Sequence, residues 1–174
     1  LNLSITLEKG DIESFRAIHH LSLEEAGREV RYAFFARVTA AQGASAVALG
    51  HTADDQVETI LMHLLRGSGL AGLAGMSPVS YWPSRYHHQR IALVRPLLQV
   101  WREETESFCR LRGFEPSKDN SNQSLEFTRN RIRLDLLPQL RSYNPRVREA
   151  LLRLRGSMAQ AQEYITWEAA QAVE

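Results

Sequence analysis

Cysteine is almost missing from this chain of 174 residues: Cys109 is the only one. That excludes a disulfide framework, a thiolate-rich metal site and any sulfur relay built from several cysteines. The reducing cytoplasm is the compartment such usage points to. Cys109 itself lies in an apolar helical stripe and reads as a small core residue. Lysine is nearly as scarce: Lys9 and Lys118 are the only two among 21 basic residues, so 21 − 2 = 19 are arginine. No apolar run approaches the ~20 residues needed to span a bilayer, so no membrane partner is expected. No N-terminal stretch has the order of a signal peptide. The chain opens at Leu1 without Met and stops at Glu174 inside a helical pattern, and is therefore read as a piece of a longer protein.

What is present is unevenly placed. Net charge is only +1, yet eight arginines lie between Arg129 and Arg155 against two acids, Asp135 and Glu149, giving 8 − 2 = +6 in that segment. Forked, permanently charged donors at that density suit phosphate or RNA. A solvated, arginine-rich helical face would give the same count, and both readings stand at this point.

The N-terminal part alternates element types. Leu3, Ile5 and Leu7 occupy every second position, which predicts a short strand closed by Lys9-Gly10-Asp11. Ser22 with Glu25 forms a capping box opening a helix to about Gln42, with Gly43 closing it. Ala46–Leu49 is an apolar run of strand length, expected to be a buried parallel strand, and a second helix follows from about Ala53 to Leu65. Strand, helix, strand, helix is the α/β signature. Residues 77–88 read as an irregular loop, Ile91–Val94 as a strand and Val100–Arg112 as a helix ended by Gly113. Lys118–Thr128 is polar and turn-rich. Helices are expected from about Thr128 to Leu140 and from Arg146 onward, with Pro145 in the first turn of the last.

Between the second strand and its helix stands Gly50-His51-Thr52-Ala53-Asp54-Asp55-Gln56-Val57-Glu58. The carboxyl end of a strand is where open α/β sheets hold ligands. With Val57 set at zero on a wheel turning about 100° per residue, Ile60, Leu61, Leu64 and Leu65 form a core stripe, and Glu58, Met62, Asp55 and Arg66 share one flank. Asp54 lies nearer the stripe, and His51 can lean over the flank. Three readings compete. Asp54 and Asp55 can be helix caps. The acids can face nucleotide phosphates through Mg²⁺, which takes one or two carboxylates beside phosphate oxygens. An all-protein metal site would need further histidines at ligand spacing, and His63 points off the flank while His87-His88 lie in a distant loop. Beyond the helix, Arg66-Gly67-Ser68-Gly69 lets backbone N–H groups approach a ligand. A helix C-cap followed by a turn accounts for Gly67 equally well.

These blocks together resemble the tRNA(Ile)-lysidine synthetase family of the N-type ATP pyrophosphatase (PP-loop) superfamily. Glu24-Glu25-Ala26, Arg28 and Arg31-Tyr32 match one helix, with Gly27 in place of an alanine. Gly50 through Thr59 matches Gly-His-x-x-Asp-Asp-Gln-x-Glu-Thr. Leu65-Arg66-Gly67-Ser68-Gly69-Leu70, Arg95-Pro96-Leu97-Leu98, Asp119 with Ser121-Asn122, and Arg129-Asn130-Arg131-Ile132-Arg133 with Leu137-Pro138 follow in family order, covering about residues 22 to 155. The resemblance implies the parallel sheet of an adenine nucleotide alpha hydrolase-like domain, incomplete at its N-terminus, then a basic helical region. Residues 1–98 would be the partial α/β domain, 99–143 a helical extension and 144–174 the start of a long linker helix. The implied enzyme ligates lysine to C2 of the wobble cytidine of tRNA(Ile) with a CAU anticodon, through an ATP-adenylated base. ATP and Mg²⁺ are the implied cofactors, and a homodimer is left open.

By the same resemblance, Asp55, His51 and Arg129 are the catalytic candidates. Asp54, Glu58, Arg66, Gly67 and Gly69 are the candidates for ATP or substrate, Asn130, Arg131 and Arg133 for tRNA, and Asp55 for the metal through phosphates. The Ser-Gly-Gly-x-Asp-Ser loop of the superfamily is missing from the chain and is expected upstream of Leu1, so the piece as given is expected to be inactive. Thr52 stands where a second histidine is frequent, and Leu134-Asp135 replaces a histidine-containing pair. A tRNA thiolase would be expected to carry more cysteines. A non-catalytic RNA-binding module would explain the arginines, though not the acids, which repel phosphates unless a cation intervenes.

Overall fold

The computed structural model describes residues 3–83, 90–115 and 127–172. Contacts divide the chain into two compact units, residues 1–49 with 79–94 and residues 50–78 with 95–174.

The first unit is a small α/β assembly. Helices α1 (Ile12–His19) and α2 (Leu23–Ala41) accompany a sheet of order β1-β3-β2, in which β1 (Val47–Ala48) runs parallel to β3 (Arg90–Val94) and β2 (Val79–Pro83) runs antiparallel to it. The register sets Val47 opposite Leu93 and Tyr81 opposite Ala92. The predicted capping box forms: the Glu25 carboxylate accepts from the Ser22 backbone N–H and hydroxyl, and Glu25 N–H donates to Ser22 Oγ. Tyr32, Ala36, Ile91 and Leu93 form the core, with Trp82 packed against it. Trp82 stacks on Tyr32 at 4.2 Å between centroids, and the Arg28 guanidinium lies over both rings.

Several expectations fail here for identifiable reasons. Residues 3–11 form no strand, and Leu3, Ile5 and Leu7 are 70–90% exposed. Alternation marks a strand only when a neighbour takes its backbone groups, and none of the described strands pairs with it. Asp11, read as a terminator, is instead the N-cap of α1, its carboxylate accepting from Ser14. The loop expected at 77–88 contains β2, whose pairing with β3 prevails over the turn signal of its prolines. Strand β1 is parallel as expected but only two residues long, with Val47 half-buried and Ala48 exposed rather than buried.

The second unit is helical: α3 (Ala53–Leu65), α4 (Leu70–Leu73), α5 (Arg102–Leu111), α6 (Thr128–Arg131), a π-helical turn at Ile132–Leu136, α7 (Leu137–Tyr143) and α8 (Val147–Gln171). Val57, Ile60, Leu61 and Met62 of α3 meet Ile132, Leu137 and Leu151 in its core. The core stripe stops at Leu61, since Leu64 and Leu65 are exposed, while Met62 of the flank is buried with it. The π turn has a local cause. Pro138 has no N–H and its ring crowds the carbonyl four residues back, so Leu137 N–H closes a wider ring onto Ile132 O. Pro145 lies in the turn before α8 rather than inside its first turn. The Asp119-Asn120-Ser121-Asn122 block lies outside the described residues. Among the described residues no helix is long and apolar enough to cross a membrane.

Glycine 75 has one steric justification. Its φ is +65°, and a Cβ there would sit 2.8 Å from the Gln56 side-chain oxygen. Gln56, 2% exposed, brackets the loop by donating to Met76 O and accepting from Met76 N–H. Gly75→Ala is expected to cost about 1–3 kcal/mol, read from the urea midpoint at unchanged slope.

Candidate functional site

The acids of the 51–58 turn are brought together, and arginines from four distant positions meet them. Asp55 closes the first turn of α3 on its N-cap: one carboxylate oxygen accepts from both the backbone N–H and the hydroxyl of Thr52, each at 2.8 Å. Its other oxygen faces Arg102 Nη2 at 3.4 Å. Asp54 does not cap its own helix. It accepts the first N–H of α5, at Arg102, at 2.8 Å, and pairs with Arg148 of α8 at 3.1 Å. Arg148 also reaches Glu103 at 3.3 Å and covers the Trp101 ring.

Glu58 is 1% exposed and receives a two-pronged donation from Arg133, Nε at 2.6 Å and Nη2 at 3.0 Å. Arg129 Nε approaches the same carboxylate at 3.4 Å without forming a hydrogen bond, while its Nη2 donates to Thr59 Oγ1. Asp54, Asp55, Glu58 and Glu103 are matched by Arg102, Arg129, Arg133 and Arg148, four charges against four.

The protonation states follow from these contacts. Burial pushes the Asp55 carboxyl up, but the two hydrogen bonds from Thr52 and the charges of Arg102 and Arg129 outweigh it, holding it below its ordinary 3.8. The Glu58 hydrogen bond holds the Arg133 guanidinium above its ordinary range, against the pull of burial. Asp55 therefore stays anionic through the neutral range and is a weak base. Its stabilising contribution is whole above about pH 4 and is lost as pH falls through the lowered folded-state value. Asp55→Asn is expected to flatten the wild-type loss of stability below pH 4, checked by urea unfolding at stepped pH.

His51 precedes α3, and its Nδ1 accepts from Arg95 Nε at 3.3 Å. In the neutral ring that assignment leaves the proton on Nε2. The remaining candidates lie apart. Arg66 is the exposed C-cap of α3, about 12 Å along the axis from Glu58 at 1.5 Å per residue. Gly67, at φ +70°, ends the helix in a Schellman motif, its N–H donating to Leu64 O and that of Ser68 to His63 O. Gly69 is the N-cap of the short α4. Asn130 is buried and Arg131 exposed on α6. Arg102 and Arg148 were not singled out from sequence. They lie 47 and 94 residues from their carboxylate partners, and no local spacing reports such pairs.

Among the described residues no group of three or more His, Cys, Asp or Glu is placed to hold a metal ion. The four arginines neutralise the acids of this turn.

A family model of the ATP-binding PP-loop domain matches residues 1–140. The chain belongs to the PP-loop domain family. Among curated relatives, the PP-loop chain is 46% identical over 159 residues to the tRNA(Ile)-lysidine synthase of Dehalococcoides mccartyi, covering 88% of this chain and 32% of that protein. To that of Geobacter sulfurreducens it is 49% identical over 133 residues, 76% of this chain and 26% of the relative. To that of Geobacillus kaustophilus it is 40% identical over 163 residues, 94% and 34%. The chain thus spans about a third or less of these relatives' length. Among solved structures, the U34-tRNA thiolase NcsA of Methanococcus maripaludis superposes with a TM-score of 0.55 at 18% identity, over 78% of this chain and 43% of that one, a likeness of PP-loop fold alone.

Proposed function

We propose that the polypeptide carrying this sequence ligates lysine to C2 of the wobble cytidine of tRNA(Ile) bearing a CAU anticodon, at the expense of ATP. The observation that carries the reading is the 40–49% identity to curated tRNA(Ile)-lysidine synthases, which spans both the 50–59 turn and the 129–133 segment. The two segments are joined by the Glu58–Arg133 ion pair, a placement that supports a shared role.

The chemistry balances in two steps. The cytidine C2 oxygen attacks the α-phosphorus of ATP, the bond to the β-phosphate breaks, and pyrophosphate leaves. The lysine amine then attacks C2, the C2–O bond breaks, AMP leaves with that oxygen, and the amine gives up a proton. Charge develops on the phosphates in the first step, and Arg129, whose side chain is 41% exposed while its Nε faces Glu58, supplies guanidinium charge to them. Asp55, a persistent anion, holds a cationic partner: the substrate ammonium, or Mg²⁺ carried on ATP. His51, whose Nδ1 accepts from Arg95 Nε, orients the substrate. Glu58 and Arg133 position Arg129. Arg66, Gly67 and Gly69 serve a more distant part of the nucleotide, while Asn130 and Arg131 face tRNA. On this reading residues 1–98 are the nucleotide half, 99–143 the helical extension and 144–174 a linker helix, and the enzyme works in the cytoplasm.

The test is incubation of the full natural polypeptide with tRNA(Ile), ATP and labelled lysine. Label in acid-precipitable tRNA, dependent on ATP and on the CAU anticodon, is expected. Label from another amine instead, or none at all, would redirect the assignment.

A further inference from the structure

The first turn of α8 is held in place on both sides. The Asn144 side-chain oxygen accepts the Arg146 N–H at 2.9 Å. Val147 and Leu151 belong to the core that Val57 and Ile60 of α3 help to form. Arg148 follows Val147 at about 100° around the helix, beside that seam.

Three groups hold its guanidinium. Nη1 donates to Asp54 Oδ1 at 3.1 Å and Nη2 to Glu103 Oε1 at 3.3 Å, while Cζ lies 4.4 Å from the centre of the Trp101 ring. An arginine meant for RNA would turn its fork outward to phosphate. This one has both prongs on carboxylates, and its side chain is only 18% exposed.

Asp54 passes the contact on. Its other oxygen accepts the Arg102 N–H at 2.8 Å, and the Ala53 N–H donates to Val100 O at 2.9 Å, so two hydrogen bonds tie the start of α3 to the start of α5. The Arg102 side chain in turn reaches Asp55 at 3.4 Å. A carboxylate with one oxygen on a backbone N–H and the other on a guanidinium is fixed in rotation as well as in place. Without the guanidinium, Asp54 can turn toward water, and the start of α5 loosens with Arg102 on it. Arg148 lies outside residues 1–140, the span of the PP-loop match, so a helix beyond that domain completes the order of the acidic turn.

We propose that Arg148 is a positioning residue for lysine transfer: by holding Asp54 on the N-terminus of α5, it sets where Arg102 stands beside Asp55. The inference rests on the proposed ligation and adds a residue to its machinery.

The test measures kcat and KM for lysine transfer to tRNA(Ile), with thermal midpoints, in the full natural polypeptide. Arg148→Gln is expected to lower kcat roughly tenfold to a hundredfold, as a small misplacement at a reacting centre does. KM for ATP, lysine and tRNA should stay within about twofold, because no substrate contact is removed. In an Asp54→Asn background the same change should cost less than about twofold more, since its route is already cut. Arg148→Lys keeps the charge but not the fork, and is expected roughly threefold below wild type. It carries the test if Arg148→Gln does not fold, and wild-type kcat in it then overturns the assignment. Arg110→Gln, an exposed change on α5 that breaks only a surface pair with Glu106, is expected to match wild type. Three other outcomes also overturn the assignment. They are wild-type kcat in folded Arg148→Gln, an undiminished loss in the Asp54→Asn background, and a raised KM for tRNA at unchanged kcat, which would make Arg148 a phosphate contact. Each of these, with wild-type protein active, leaves the ligation reading standing. Wild-type protein that transfers no lysine sinks that reading, and this inference with it.

Discussion

Arg133→Ala is expected to destabilise the helical unit by about 3 kcal/mol, the low end of what stranding one member of a buried ion pair costs. Glu58 is 1% exposed, so its carboxylate cannot recover water when Arg133 leaves. The low end applies because Arg129 stays at 3.4 Å and can close part of the gap. Neutralising the survivor should recover much of the loss: the double variant Glu58→Gln/Arg133→Ala is expected to be more stable than Arg133→Ala alone, a non-additivity on the order of 1 kcal/mol or more. Urea unfolding of the four proteins of the cycle measures it. A single-variant loss below about 1 kcal/mol, typical of an exposed pair, would mean that Glu58 is solvated in solution.

The second large effect concerns activity. Asp55→Asn is expected to lower kcat for lysine transfer by roughly 10²–10³-fold, the range seen when one preorganised electrostatic contact at a reacting centre is lost. Asparagine can still accept the two hydrogen bonds that Thr52 donates, so the cap of α3 survives while the negative charge is removed. That separates the two roles, which Asp55→Ala would confound. Thermal midpoint near neutral pH together with steady-state kinetics decides the matter. A variant of wild-type activity would reduce Asp55 to a cap.

Of the three readings of the acidic turn that the sequence offers, capping holds in part. Asp55 caps α3, and Asp54 caps a different helix, α5. The span of α3 was plain because its apolar residues repeat at 3.6 and Gly67 follows its end. The arginine-rich segment was legible as charge but not as geometry. Part of it serves Glu58 and Asp54 from 75 and 94 residues away, and only folding sets those distances. The strand expected at 3–7 and the missed β2 fail for one shared reason: a strand is decided by its neighbour. Leu3, Ile5 and Leu7 have the right alternation and no partner among the described strands, whereas Val79–Pro83 has turn-like residues and pairs with β3 along its length. The π turn before Pro138 was readable in principle, since a proline inside a helical run must free a carbonyl, but its form depends on how Ile132 and Leu137 enter the core.

The most direct test of the central claim is mass spectrometry of the anticodon-loop fragment of tRNA(Ile) after reaction with ATP and lysine. The wobble cytidine is expected to gain lysine with loss of one water, one AMP and one pyrophosphate being released per modified base, and to remain unmodified without ATP. Exchange of oxygen for sulfur at that base, or a lysine adduct at any other nucleotide, would contradict the account.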